Sequence, residues 1–73
     1  MSVDTPLPDP RAIGSLVRSR RQELGLTQSA LASLANVSIV FLNELEQGKP
    51  TARVELIFRV LQAIGIDLYA RPR

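Results

Sequence analysis

The chain has 73 residues, nine basic against seven acidic, for a formal net charge of +2; a chain this short makes one domain, near the lower size limit for folding alone. It has no cysteine and no histidine, which excludes disulfides, thiol nucleophiles, the usual zinc sites and imidazole acid–base chemistry. The apolar share is 45% with three aromatic residues, Phe41, Phe58 and Tyr69, so the core must be aliphatic. Eight of the nine basic residues are arginines, the side chain best suited to phosphate. No apolar run approaches the ~20 residues that span a bilayer, and MSVDTPLPDPR lacks the basic-then-apolar order of a signal peptide. A cytoplasmic chain is expected, with no membrane partner.

Residues 1–9 carry Pro6 and Pro8 among polar residues without periodicity and read as a flexible leader. Asp9 followed by Pro10 is an N-cap and first-turn pair, so a first helix is expected from Pro10 to Leu24, stopped by Gly25. Its apolar stripe is Ile13, Leu16, Val17 and Leu24, interrupted in the third turn by Arg20 and Arg21. Thr27 caps a second helix, Gln28 to Ala35, with Ala30, Leu31 and Leu34 on one side. Asn36 stands where the chain must turn, and Asn tolerates a left-handed backbone better than most non-glycine residues. Ser38 caps a third helix, Ile39 to Gln47, ended by Gly48; Thr51 caps a fourth, Ala52 to Ile64, closed by Gly65.

The fourth helix is apolar on more than one side. Val54, Ile57, Phe58, Leu61 and Ile64 make one stripe, with Leu56, Val60 and Ala63 beside it, leaving Glu55, Arg59 and Gln62 as the polar face. The second stripe needs its own cover, either the tail of the same chain or another subunit. In the tail, IDLYARPR alternates, with Ile66, Leu68 and Ala70 pointing one way and Asp67, Tyr69 and Arg71 the other, until Pro72. This reads as a short strand without a partner in its own chain, so pairing with a second copy is expected. The fold class is therefore mainly α, four helices with a short C-terminal β-strand pairing across a dimer. The segments are a leader (1–9), a helical domain (10–65) and a dimerisation tail (66–73), and Leu56, Val60, Ile66, Leu68, Tyr69 and Ala70 are the dimer residues.

Two short helices joined by a tight turn, TQSALASLA, NV and SIVFLNELE, form a helix-turn-helix. Ala32, Ala35 and Val37 are small or branched where the helices cross, and Leu31, Leu42 and Leu45 supply the buried face. The run VRSRRQELGLTQSALASLANVSIVFLNELEQGKPT, residues 17–51, resembles the lambda-repressor-like (Cro/Xre-type) family. The matching elements are RRQELGLTQ, the LA of the second helix, VS opening the third and LEQGK closing it. Asn36 departs from the family's usual glycine.

That resemblance implies a DNA-binding repressor on a palindromic double-stranded operator; without His or Cys, the residues themselves lead to the expectation of no enzyme activity and no cofactor or metal. It also implies an ion pair between Arg21 and Glu46, which the sequence supports: Arg21 borders an apolar stripe and Glu46 follows buried Leu45, so each needs a charged partner. Carried over from the family, Ser38, Ile39, Val40 and Asn43, with Glu44 at the edge, are the base-reading positions. Ser38 and Asn43 can hydrogen-bond base edges, and Ile39 and Val40 can meet thymine methyl groups, although Ile39 or Val40 packing under the connector to the fourth helix is the structural alternative. Thr27 and Gln28 at the start of the second helix, Gln47 and Lys49 after the third, and Arg18 and Arg53 are candidate phosphate contacts.

The tail GIDLYARPR in place of a fifth helix is similar to HipB-like antitoxins, whose C-terminal strands pair across the dimer axis. This second resemblance implies a homodimer that restrains a HipA-like serine/threonine kinase toxin. A regulator acting without a toxin is the alternative. No paired carboxylates, phosphate loop or nucleophile motif supports an enzyme.

Overall fold

The structure is a computed structural model that describes residues 9–51, 53–69 and 72. It contains four helices: α1 Pro10–Glu23, α2 Gln28–Ala35, α3 Ile39–Glu46 and α4 Val54–Ala63. Three begin on side-chain caps. Asp9 Oδ1 accepts from the Ala12 amide at 2.9 Å, Thr27 Oγ1 from Ala30 at 3.0 Å and Ser38 Oγ from Phe41 at 3.0 Å, each satisfying an amide that the helix itself cannot.

All four helices end alike. Leu26, Val37, Lys49 and Ile66 each donate a backbone N–H to the carbonyl five residues back, at 2.9–3.1 Å. The residue before each of them is left-handed: Gly25, Asn36, Gly48 or Gly65. This is the Schellman stop. At Gly48 the requirement is double, because φ is +81° and a Cβ would also meet the Arg11 Cα at 2.8 Å.

The core is one cluster of Val17, Leu31, Ala32, Ala35, Phe41, Leu42, Leu45, Val60, Leu61 and Ile64. α1 packs on α3, and α2 packs on both α3 and α4. The expected crossing residues Ala32 and Ala35 are buried, and Leu31, Leu42 and Leu45 fill the space between the helices.

A close backbone approach falls on a residue that the sequence pattern passes over. Gly14 is buried in α1, and a Cβ there would run into the Leu45 carbonyl oxygen and lie 3.0 Å from that of Glu46. Glycine in mid-helix normally costs stability. Here it lets α1 lie against the last turn of α3.

The structure corrects several expectations. Thr51 does not cap α4; its Oγ1 accepts from the Arg53 amide two residues on, at 3.1 Å, a local turn that delays helix entry. α4 therefore starts at Val54 behind Arg53, which makes no side-chain cap bond. Ala52, expected as its first residue, lies outside the described residues, as does residues 1–8 of the leader. The stripes of α4 are also reassigned. Val60 is fully buried in its own chain and Leu56 is partly buried against the same core, so Val60 is not a dimer contact. Val54 and Phe58 are instead the outward apolar pair, 52% and 47% exposed. Two arcs one residue apart had the same helical spacing, and packing on α2 selects between them. Leu34 is likewise exposed and not part of the α2 core face, and Leu24, past the end of α1, is exposed too.

Among the described residues there is no strand. Ile66 packs against the core, while Asp67, Leu68 and Tyr69 are exposed; Ala70 lies outside the described residues. Among the described residues no second strand is available to form a ladder with the tail. No helix among the described residues is long and apolar enough to cross a membrane.

Gly14→Ala is expected to lower stability by roughly 1–3 kcal/mol, because the added methyl meets backbone that cannot rotate away. Thermal unfolding followed by circular dichroism checks this. An unchanged or raised midpoint would show that α1 and α3 can separate freely.

Candidate nucleic-acid interface

The site is built outward from an ion pair that is mostly shielded from solvent. Arg21 Nε donates to Glu46 Oε2 at 2.8 Å and Nη2 to Glu46 Oε1 at 3.1 Å, while Nη1 donates to the Leu26 carbonyl at 2.8 Å. The side chains are only 12% and 4% exposed, and the parallel bonds are the fork geometry that suits guanidinium and carboxylate. The hydrogen bonding to Glu46, with the carboxylate's charge in addition, holds the Arg21 pKa above its ordinary value, against the opposing effect of burial. This pair joins the end of α1 to the end of α3 and clamps the loop leading to α2. It thereby fixes the pose of α3.

On that scaffold α3 divides cleanly. Phe41, Leu42 and Leu45 face the core, whereas Ile39 and Val40 are 48% and 65% exposed, and Asn43, Glu44 and Gln47 are exposed beside them. Neither Ile39 nor Val40 is buried under the connector to α4. Val40 shares the lining of a shallow hollow with Ser38, Glu44, Lys49 and Arg53; Ile39 borders a second with Ser29, Ser33 and Asn36. Phe41 is core.

Of the base-reading candidates, Ser38, Ile39, Val40, Asn43 and Glu44 thus lie on one exposed surface. The Ser38 oxygen caps α3 but keeps its proton to donate. Glu44 pairs with Lys49 at 3.4 Å, both about half exposed. A surface pair of this kind contributes at most ~1 kcal/mol.

Among the phosphate candidates, Lys49 and Arg53 flank the start of α3 across the first hollow, and Thr27 sits exposed at the head of α2 with its oxygen used as a cap. Gln28 and Gln47 are engaged within the protein: Gln28 Nε2 donates to Glu46 Oε1 at 3.1 Å and Gln47 Nε2 to Asn43 Oδ1 at 2.7 Å. Arg18 is exposed on α1 and lines neither hollow.

Two arginines have structural roles that sequence reasoning missed. Arg20 Nε donates to the Ile64 carbonyl at the end of α4, at 3.0 Å. Arg59 Nη1 donates to the Asn36 carbonyl at 3.3 Å, closing the helix-turn-helix turn, and Nη2 pairs with Glu55 at 3.0 Å. The signal for Arg20 was its place in an apolar stripe; nothing in the sequence marks Arg59.

Against this geometry, the family profile described as helix-turn-helix matches residues 17–70. The chain belongs to the lambda-repressor-like helix-turn-helix family. This helix-turn-helix chain is 46% identical over 63 residues to the uncharacterized HTH-type transcriptional regulator y4mF of Sinorhizobium fredii, covering 84% of this chain and 83% of that one. It is 34% identical over 55 residues to the HTH-type transcriptional regulator RamB of Mycobacterium tuberculosis, covering 75% of this chain but only 12% of RamB. The fold is also that of HipB, in a structure described as a HipB variant in complex with an O2 20mer. The TM-score is 0.84 with 17% identity, over 96% of this chain and 97% of that one.

Glu46→Ala is expected to cost ~1–3 kcal/mol, since it leaves the Arg21 guanidinium with only the Leu26 carbonyl and the Gln28 NH2 without its acceptor. The double variant Arg21→Leu with Glu46→Leu should regain most of that loss. Urea unfolding of the three proteins checks it, and a loss under about 1 kcal/mol for Glu46→Ala would show the pair to be solvated.

Proposed function

We propose that this DNA-binding transcription regulator acts as a two-fold dimer on a palindromic operator, and that it is the antitoxin of a toxin–antitoxin pair. The observation that carries the DNA reading is the outer face of α3. Two branched apolar residues, Ile39 and Val40, stand exposed on its leading turn, next to the hydrogen-bonding Ser38 and Asn43. That surface suits a major groove, where thymine methyl groups and base edges alternate. Lys49, Arg53 and the amides at the head of α2 would grip phosphate around it.

The dimer reading is supported by the outward apolar face of α4, Val54 and Phe58, followed by exposed Leu68 and Tyr69 in the tail. A second copy supplies a matching face and a ladder partner for the tail under two-fold symmetry. If so, Phe58→Glu should leave the fold intact and give an 8.0 kDa monomer. Light scattering that finds the unaltered chain monomeric at micromolar concentration counts against the dimer.

Duplexes selected from a random library test the DNA reading. Asn43→Ala and Val40→Ala should each relax preference at particular base pairs, by ~1–3 kcal/mol. Lys49→Ala should weaken all duplexes alike and reduce the salt slope by about 1. Absence of any preferred sequence would defeat the reading.

The antitoxin role rests on the tail GIDLYARPR and on a fold shared with HipB. Its partner would be a HipA-like kinase encoded alongside, and the outer face of α4 around Gln62 is open to it. Co-expression with the adjacent gene and affinity capture should recover a complex. Recovery of the dimer alone would favour a regulator that works without a toxin.

A further inference from the structure

Two consecutive residues of α1 hold the ends of two different helices. Arg21 forks onto Glu46 at the close of α3, at 2.8 and 3.1 Å, and Arg20 Nε donates to the Ile64 carbonyl at the close of α4, at 3.0 Å. A carbonyl at a helix end has no partner within that helix, and a cation placed there also meets the negative end of the helix dipole. Arg20 is partly buried, and its Nη2 lies 3.8 Å from where a Cβ on Gly65 would stand. The guanidinium therefore spans the turn at which α4 becomes the tail.

Little else joins these elements directly. Among the described residues α3 packs on α1 and α2, and α4 packs on α2, with no broad packing of α4 on α1 or α3. Past Gly65 the Ile66 amide donates back to the Leu61 carbonyl at 2.9 Å and Ile66 packs against the core, after which Leu68 and Tyr69 are exposed. Two routes thus lead from α3 to the base of the tail. One runs through the apolar side chains of α2, the other across the adjacent residues Arg20 and Arg21. Apolar packing is not directional, whereas charge-assisted hydrogen bonds fix an angle as well as a distance.

In the two-fold dimer proposed above, the tail and the outward face of α4 meet the second copy, and the two α3 helices must stand about one duplex turn apart, ~34 Å. A small rotation at the base of the tail grows into a large displacement over that span. We infer that Arg20 is a positioning residue for operator geometry: together with Arg21 it references the tail to α3, and so selects the spacing between half-sites without itself touching DNA. It decides which spacing is accepted, not which bases are read. The inference rests on the dimer reading, and deepens it.

The test uses Arg20→Met, which keeps most of the aliphatic stem and removes the donor. Duplexes carrying the half-site selected by the unaltered protein, with the spacer lengthened or shortened by a base pair, are compared by titration. The unaltered protein should prefer one spacing; in Arg20→Met that preference should fall about tenfold, with base preference inside the half-site unchanged. An unaltered spacing preference overturns the inference, as does equal weakening at every spacing, which would make Arg20 a phosphate contact or a folding residue only. If the unaltered protein itself prefers no spacing, the dimer reading has failed and the inference falls with it.

A second measurement needs neither DNA nor a variant. In the unaltered protein the Arg20 Nε–H should exchange with water more slowly than that of exposed Arg18. Equal rates would show that the tie to Ile64 is not kept in solution, and would overturn the inference even where one spacing is preferred.

Discussion

The arrangement depends on one interaction, the forked Arg21–Glu46 ion pair. A pair this buried is costly to desolvate, and an apolar replacement of equal volume is often no less stable. What an apolar pair cannot do is fix direction. The guanidinium addresses three acceptors on two different segments, Glu46 Oε1 and Oε2 and the Leu26 carbonyl. It therefore sets the rotation of α3 about its own axis as well as its distance from α1. Gly14 makes the second half of that constraint by letting the α1 backbone touch the last turn of α3. With the far end of α3 pinned in this way, its leading turn is aimed, even though the helix has only eight residues and would not hold its shape alone.

The same economy governs the turn between α2 and α3. Asn36 is left-handed at φ 55°, a conformation that strains most side chains, and its carbonyl accepts from Arg59 of α4. The stop of α2 is thus tied to the helix that packs on it. Arg20 does the equivalent service for the end of α4 from α1. Each of these arginines satisfies a carbonyl that a helix end leaves open, so a chain with many arginines and a net charge of only +2 uses several of them internally. Arginine content alone therefore overstates the surface available for phosphate.

Much of this was legible in the sequence because it is local. Caps at Asp9, Thr27 and Ser38 and stops at Gly25, Asn36, Gly48 and Gly65 depend on residues a few positions apart, and the helix ends fall within one residue of expectation except at the start of α4. Thr51 was ambiguous because a Thr hydroxyl can cap a helix or close a two-residue turn with the same chemistry. The α4 stripe failed for a related reason: Leu56, Ile57, Phe58, Val60 and Leu61 are all apolar, so periodicity admits two faces and only α2 chooses. Of the candidate site, Ile39, Val40, Asn43 and Glu44 are exposed and adjacent as the motif required. The inward engagement of Gln28 was hidden, since it depends on where Glu46 points, a contact 18 residues away.

The division of labour on α3 decides how such a protein can change. Phe41, Leu42 and Leu45 carry its share of the core and Glu46 its tether, which leaves Ile39, Val40, Asn43 and Glu44 without a packing duty in the single chain. Exposed apolar residues on a leading turn contribute little to folding, so substituting them changes what the helix touches while the domain stays folded. Asn43 differs from its neighbours in one respect. Its amide is continuous with Gln28 and Glu46, so a replacement there releases an oxygen and an NH2 on two other residues. The surface at Ile39 and Val40 is therefore free to vary residue by residue, whereas the surface at Asn43 is coupled to the line of amides behind it.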